Sequence, residues 1–252
     1  MKWALHDGWV MTRRELAHLA RQPAQVLLTL LFPVLLVVMF AFVLGGGMSV
    51  AGGGDYREYL LPGMFAMTML FGVESTFQAI ATDLNRGVTD RFRSLPMSPS
   101  AQVLGRNLAD LLTSALGLLV MIGCGLAVGW RWHNGLLDAL AAVGLLLLLR
   151  FAVLWVGVYL GLVSRNAQLL IAVQILVWPF AFLSSALASP ADMPSWLGAL
   201  SAWNPLSATA DAARALFGNP GGGGTWKAVV WPLALVAVFF PLSVRQYRRL
   251  SR

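Results

Sequence analysis

Long runs without a charged side chain dominate this chain. They extend from Gln22 to Gly54, from Tyr59 to Val73 and past Glu74 to Thr82, and from Leu111 to Trp130. Others run from Ala139 to Leu149 and past Arg150 to Ser164, from Asn166 to Ala191, and from Ala228 to Val244. A helix needs about 20 apolar residues to cross the hydrocarbon of a bilayer. The pattern therefore predicts an all-α integral membrane protein with six transmembrane helices, near Val26–Leu44, Tyr59–Ala81, Val103–Gly129, Leu136–Val163, Gln168–Ala188 and Trp226–Val244. An even number of spans puts both termini on one side. Residues 1–22 follow another rule: Leu5, Trp9, Leu16 and Leu19 share one helical face, with Arg14, His18 and Arg21 opposite, before Pro23 interrupts. That segment is expected to be an amphipathic helix lying on membrane lipid, a solvated first turn of the first span being the alternative.

Composition supports the bilayer as solvent. The chain has 252 residues, 58% hydrophobic and 12% charged, whereas soluble domains run at about 25% charged. Its 18 Lys and Arg against 11 Asp and Glu give +7, which in a soluble chain would raise nucleic-acid binding; here no nucleic-acid partner is expected, because the excess is distributed by side. Thirteen of the 18 basic residues fall in the N-terminal segment, the loops after the second and fourth spans, and the tail, whereas only Arg57, Arg131, Arg214 and Lys227 fall on the other face. The positive-inside rule then places both termini in the cytoplasm of a multi-pass plasma-membrane protein. The N-terminal stretch carries charges throughout and lacks a small-residue cleavage site, so it is not expected to be a signal peptide.

Candidate chemistry is sparse. Cys124 stands alone, and His6, His18 and His133 form no HExxH or zinc spacing, so neither a metal site nor a catalytic centre is expected. The glycine-rich stretches Gly45–Gly54 and Asn219–Gly224 lack the Gly-Lys-Ser/Thr of a Walker loop, the only lysines being Lys2 and Lys227. The chain is not expected to bind ATP by that route. The most distinctive stretch is Ala81–Leu112, which joins the second and third spans on the cytoplasmic side. Asp90, Arg91 and Arg93 occupy a short helical run that Pro96 and Pro99 terminate. A short, rigidly bounded helix can transmit a push from a soluble partner; an ordinary solvated connection is the other interpretation.

Three segments resemble the type-2 ABC exporter permeases, in particular their daunorubicin-resistance-like branch: RRELAHLARQPAQVLLTLLFPVLL entering the first span, TDLNRGVTDRFRSLPMSP in the central loop, and SSALASPADMPSWLGALSAWNPLSATADAARALFGNP before the last span. The resemblance implies one permease domain over 1–252. It also implies a coupling segment at 83–99 that docks on a separate ATPase subunit, with Asp83, Gly87, Asp90, Arg91, Leu95 and Pro96 as its contact residues. Short helices within 189–225, chiefly Pro190 to Leu216, would re-enter the outer leaflet. The expected partners are an ABC ATPase subunit that holds ATP and Mg²⁺, a second copy of this chain or a related permease, and a hydrophobic drug or lipid-like cargo.

Two ionisable residues lie inside spans, Glu74 and Arg150, and each costs at least about 2.5–3.5 kcal/mol if unpaired near the bilayer centre. Both are about 21–23 Å along helices that run inward, which predicts a structural ion pair between them; contact with a polar substrate or a proton is the alternative. Trp155, Trp178, Phe180 and Phe182 could line a route for an amphipathic cargo, or simply pack. Gly125-xxx-Gly129 and Gly157-xxx-Gly161 offer close helix contacts, and Pro179, Pro232 and Pro241 imply kinks or helix boundaries. The rival function is an ATP-independent secondary transporter or channel that works through Glu74.

Overall fold

The computed structural model describes residues 23–44, 55–85, 99–164 and 167–250. Most of them are helical, and no strand occurs among them. Helix α1 (Pro23–Met39) continues as a π-helical turn at Phe40–Leu44. Helices α2 (Tyr56–Asn85), α3 (Pro99–Val128), α4 (Leu136–Val163) and α5 (Ala167–Phe182) follow. A 3-10 turn (Pro190–Asp192) then leads to two short helices, α6 (Ser195–Trp203) and α7 (Pro205–Phe217), and to α8 (Trp226–Leu250). Within the described residues, four stretches are long and apolar enough to cross a membrane: Tyr56–Leu84, Asn107–Val128, Leu136–Val163 and Trp226–Tyr247. Leu31–Val43 and Ile171–Phe182 are shorter apolar helices.

Helix limits follow local chemistry. The Asp55 carboxylate accepts from Arg57 N at 2.9 Å and caps the start of α2. Gly129, at φ +106°, ends α3 and lets Trp130 N return to Gly125 O. The expected limits of the fourth span, Leu136 and Val163, coincide with those of α4. The fifth span corrects the expectation: α5 stops at Phe182 rather than Ala188. Asn204 Nδ2 donates to Phe180 O at 2.8 Å and to Leu183 O at 3.2 Å, taking carbonyls that further helix would have used.

Helices α2 and α4 form the centre. Of the apolar stretches, 72% of that in α2 is buried within the protein, against 17% of that in α8. Lipid tails are as apolar as leucine side chains, so close van der Waals fit has to hold α2 against α4. The second glycine pair provides that fit: a Cβ on Gly161 would lie 2.7 Å from Ile80 Cβ, and one on Gly157 would lie 3.0 Å from both Thr76 Cβ and Val73 O. Helix α8 covers the other side of α4 through edge-to-face pairs, Trp155 on Phe240 at 4.7 Å and Tyr159 on Phe239 at 5.7 Å.

Candidate functional site

The helices converge on a polar network in which every side-chain group except Arg150 Nη1 finds a partner among the described residues. Arg150, 1% exposed on α4, donates through Nη2 to both carboxylate oxygens of Asp110 on α3, each at 2.7 Å. Its Nε donates to Ser114 Oγ at 2.8 Å, and Nη2 also reaches Thr76 Oγ1 on α2 at 3.0 Å. Thr76 Oγ1 in turn donates to Asp110 Oδ2 at 2.6 Å. The guanidinium passes so close to Gly72 that a Cβ there would lie 2.2 Å from Nη1. Three helices are thus tied by one charge pair and two hydroxyls, at a depth where every alternative partner is scarce.

This corrects the expected Glu74–Arg150 pair. Depth does not discriminate, because Glu74 is about 16 Å from the C-terminal end of α2 and Asp110 about 16 Å from the N-terminal end of α3. Azimuth does. The face of α2 turned to α4 carries Val73, Thr76, Phe77 and Ile80, and Glu74 is rotated by about 100° from Val73. Glu74 Oε1 is buried and has no hydrogen-bond partner among the described residues. Asp110 escaped notice because it borders the uncharged run that starts at Leu111; counted inward from the start of the helix, it is an acid well inside α3.

A second cluster closes the bundle at the N-terminal end of α2. Arg214 on α7 is fully buried and stacks on the Tyr59 ring, 3.7 Å from its centroid. It donates to Tyr59 O at 2.8 Å, Ser185 O at 2.8 Å, Ala186 O at 3.0 Å and Asp211 Oδ1 at 2.8 Å. Burial pushes the Asp211 carboxyl above its ordinary range, opposed by the Arg214 charge and by the hydrogen bond from Ser185 Oγ. Loop 129–135 caps the end of α7: Asn134 Nδ2 donates to Ala215 O and Leu216 O, and His133 N to Phe217 O. Gly218 turns the chain there at φ +73°. The sequence counted Arg214 only as an external charge.

The four aromatic candidates separate. Trp155 is buried between α4 and α8. Trp178 and Phe182 stack on each other at 6.0 Å, and Trp178 also meets Phe71 of α2 at 4.7 Å and Phe32 of α1 at 5.9 Å. Phe180 points elsewhere, 41% exposed. Of the coupling residues, Asp83 lies in the last turn of α2. Gly87, Asp90, Arg91, Leu95 and Pro96 lie outside the described residues, as does the N-terminal segment 1–22.

Residues 7–217 match the family model described as ABC-2 type transporter. The chain is 31% identical over 230 residues to the daunorubicin resistance ABC transporter permease protein DrrB1 of Streptomyces coeruleorubidus, covering 90% of this chain and 80% of that protein. It is 26% identical over 248 residues to the probable doxorubicin resistance ABC transporter permease protein DrrC of Mycobacterium tuberculosis, covering 96% and 88%. A more distant relative is the putative transport permease ycf38 of Cyanophora paradoxa, 22% identical over 221 residues, covering 85% and 75%.

Proposed function

Because this chain belongs to the ABC-2 type transporter family and is a membrane permease subunit of an ABC exporter, we propose that it carries a hydrophobic drug or lipid-like molecule out of the cytoplasm. The family implies an ABC ATPase partner. In this proposal the partner holds ATP and Mg²⁺ and performs all hydrolysis, and this chain, working with a second copy of itself, supplies the path. Six spans cross the plasma membrane with both termini cytoplasmic; α1 and α5 complete the count, and α6 and α7 re-enter the outer leaflet. Closure of the ATPase subunits pushes the segment 83–99, and the helix bundles rock between inward and outward access.

The observation that carries the cargo class is near full-length similarity to two permeases named for resistance to daunorubicin or doxorubicin. The test co-expresses the chain with a candidate ABC ATPase subunit, purifies the complex and reconstitutes it in proteoliposomes. ATP-dependent movement of daunorubicin, lost on removal of either subunit, is expected. Movement driven by a proton gradient without ATP would overturn the proposal and revive a secondary transporter that works through Glu74.

A further inference from the structure

Glu74 puts a carboxyl group in the middle of an apolar helix. Its Oε1 is buried without a hydrogen-bond partner among the described residues. Among the described residues Arg150 is the basic side chain within a candidate span at that depth, and its Nη2 pairs with Asp110 instead. A bare carboxylate in low dielectric is costly enough that such residues in membrane proteins mark a pathway or a ligand.

Its surroundings are specific. On α2, Phe71 is one turn nearer the outer end on the same face as Glu74, and Ser75 and Gln78 extend that face as an exposed polar edge. The Phe71 ring packs on Trp178 of α5, and Phe32 of α1 meets the same indole. On α5 the column Phe182, Trp178, Gln174 repeats every fourth residue, which puts the exposed Gln174 amide about 6 Å further inward than Trp178. Glu74 lies about 4.5 Å further inward than Phe71 on the antiparallel α2. The rings of Phe71, Trp178 and Phe32 therefore meet where α1, α2 and α5 come together, with Glu74 on α2 and Gln174 on α5 each about one turn further inward and Leu35 and Ile171 exposed on α1 and α5.

We propose that the junction of α1, α2 and α5 recognises amphipathic organic cations, Glu74 and Gln174 holding the charged group while Phe71, Trp178 and Phe32 pack the apolar body. Aromatic faces attract cations and apolar groups alike, and a carboxylate adds the sign discrimination that rings alone lack. A neutral lipid would gain nothing from the carboxylate, and an organic anion would be repelled by it. The proposal rests on the export function above and narrows its cargo to one charge class.

The test uses the full chain in nanodiscs of zwitterionic lipid and tetraphenylphosphonium as the probe, with protein-free nanodiscs as the baseline. Tetraphenylborate has the same shape and the opposite charge. The wild-type chain is expected to bind the cation saturably and the anion not at all. Glu74→Gln should weaken cation binding by about tenfold or more, Glu74→Asp should retain most of it, and Trp178→Leu should cost about two- to fivefold. Equal loss of both ions in Glu74→Gln, no loss, or no saturable cation binding by the wild type overturns the proposal. If Glu74→Gln fails to fold, Trp178→Leu and Gln174→Leu decide: loss confined to the cation supports the site, and its absence refutes it. ATP-driven daunorubicin export without tetraphenylphosphonium binding sinks this inference alone. Tetraphenylphosphonium binding in a complex that moves no cargo with ATP sinks the export function and leaves the site standing.

Discussion

Removing Asp110 should damage the protein more than removing Arg150, although the two form one pair. Asp110→Asn leaves a guanidinium that is 1% exposed, still bonded to Ser114 and Thr76 but with no counter-charge. Breaking a buried pair in that way costs about 3–5 kcal/mol. Arg150→Met leaves a carboxylate that is 26% exposed and still accepts from Thr76, so part of its hydration returns and the loss falls to roughly 2 kcal/mol. The double variant removes both charges and should recover most of the loss, because replacing a whole pair is often close to neutral. Thermal unfolding in detergent can be followed by labelling of Cys124, the only thiol, which lies on the same helix as Asp110. A fall on the order of 10 °C is expected for Asp110→Asn and about half of that for Arg150→Met. The coupling energy of the cycle should exceed about 1 kcal/mol. An additive cycle for Asp110 with Arg150, or a non-additive one for Glu74 with Arg150, would show that the pair has been assigned to the wrong acid.

Gly161→Leu should separate α2 from α4 and lower the recovery of folded protein, because its first added carbon already meets Ile80 at 2.7 Å; size-exclusion profiles check this, with Gly144→Ala, where nothing lies within 4 Å of the added carbon, as the tolerant control. Arg214→Lys should destabilise by roughly 3 kcal/mol despite keeping the charge, since one ammonium cannot reproduce the planar fork that joins Tyr59 O, Asp211 and the 185–186 carbonyls; thermal unfolding reads it directly. Single cysteines at Ser49 and Ser251, in a background without Cys124, should label from opposite faces of sealed vesicles with an impermeant reagent, and labelling from one face would refute the six-span topology.

Much of this fold was legible in the sequence, for a physical reason: in a bilayer an uncharged run of sufficient length has few alternatives to helix. That is why Leu136 and Val163 could be read as the ends of α4 without any tertiary information. The end of α5 was hidden because its terminating groups belong to Asn204, more than twenty residues later. Helix rotation was hidden too. Residue counting gives depth to within a turn, but which of Glu74 and Asp110 meets Arg150 depends on how α2 rolls against α4, and Gly157, Gly161 and Gly72 set that roll by admitting side chains and backbone where a Cβ would collide. The glycine spacing was visible as one of two similar motifs, and only the packing distinguishes the pair that joins helices from Gly129, which ends one.

In the proposed mechanism these contacts decide how a push at the segment 83–99 would travel. At its N-terminal end α2 is fixed by Tyr56 Oη and Tyr59 Oη, which donate to Leu187 O and Ser185 O at 2.9 and 2.8 Å, and by Arg214 on the Tyr59 carbonyl. Further in, Thr76 joins it to Arg150 and Asp110. These two anchorages are about 25 Å apart along one helix, with the Gly157 and Gly161 contacts continuing toward its C-terminal end, so α2 can neither bend nor slide without breaking buried polar bonds. In the proposed mechanism, force applied through 83–99 would move α2, α3, α4 and α7 as one body, and displacement would concentrate at the exposed faces of α1, α5 and α8, where few polar contacts resist it. Two kinds of defect should therefore separate. Gly87→Trp, Arg91→Ala and Leu95→Ala act where the ATPase subunit docks in the proposed mechanism, and should reduce recovery of the complex. Thr76→Val keeps the shape of the side chain, removes the hydroxyl link between α2 and the ion pair, and should leave complex recovery and basal hydrolysis intact while lowering cargo movement per ATP. Measuring recovery, hydrolysis and vesicle transport for all four variants decides the matter. If Thr76→Val matches the wild type in transport per ATP, the buried network is a stability element only, and force reaches the path by another route.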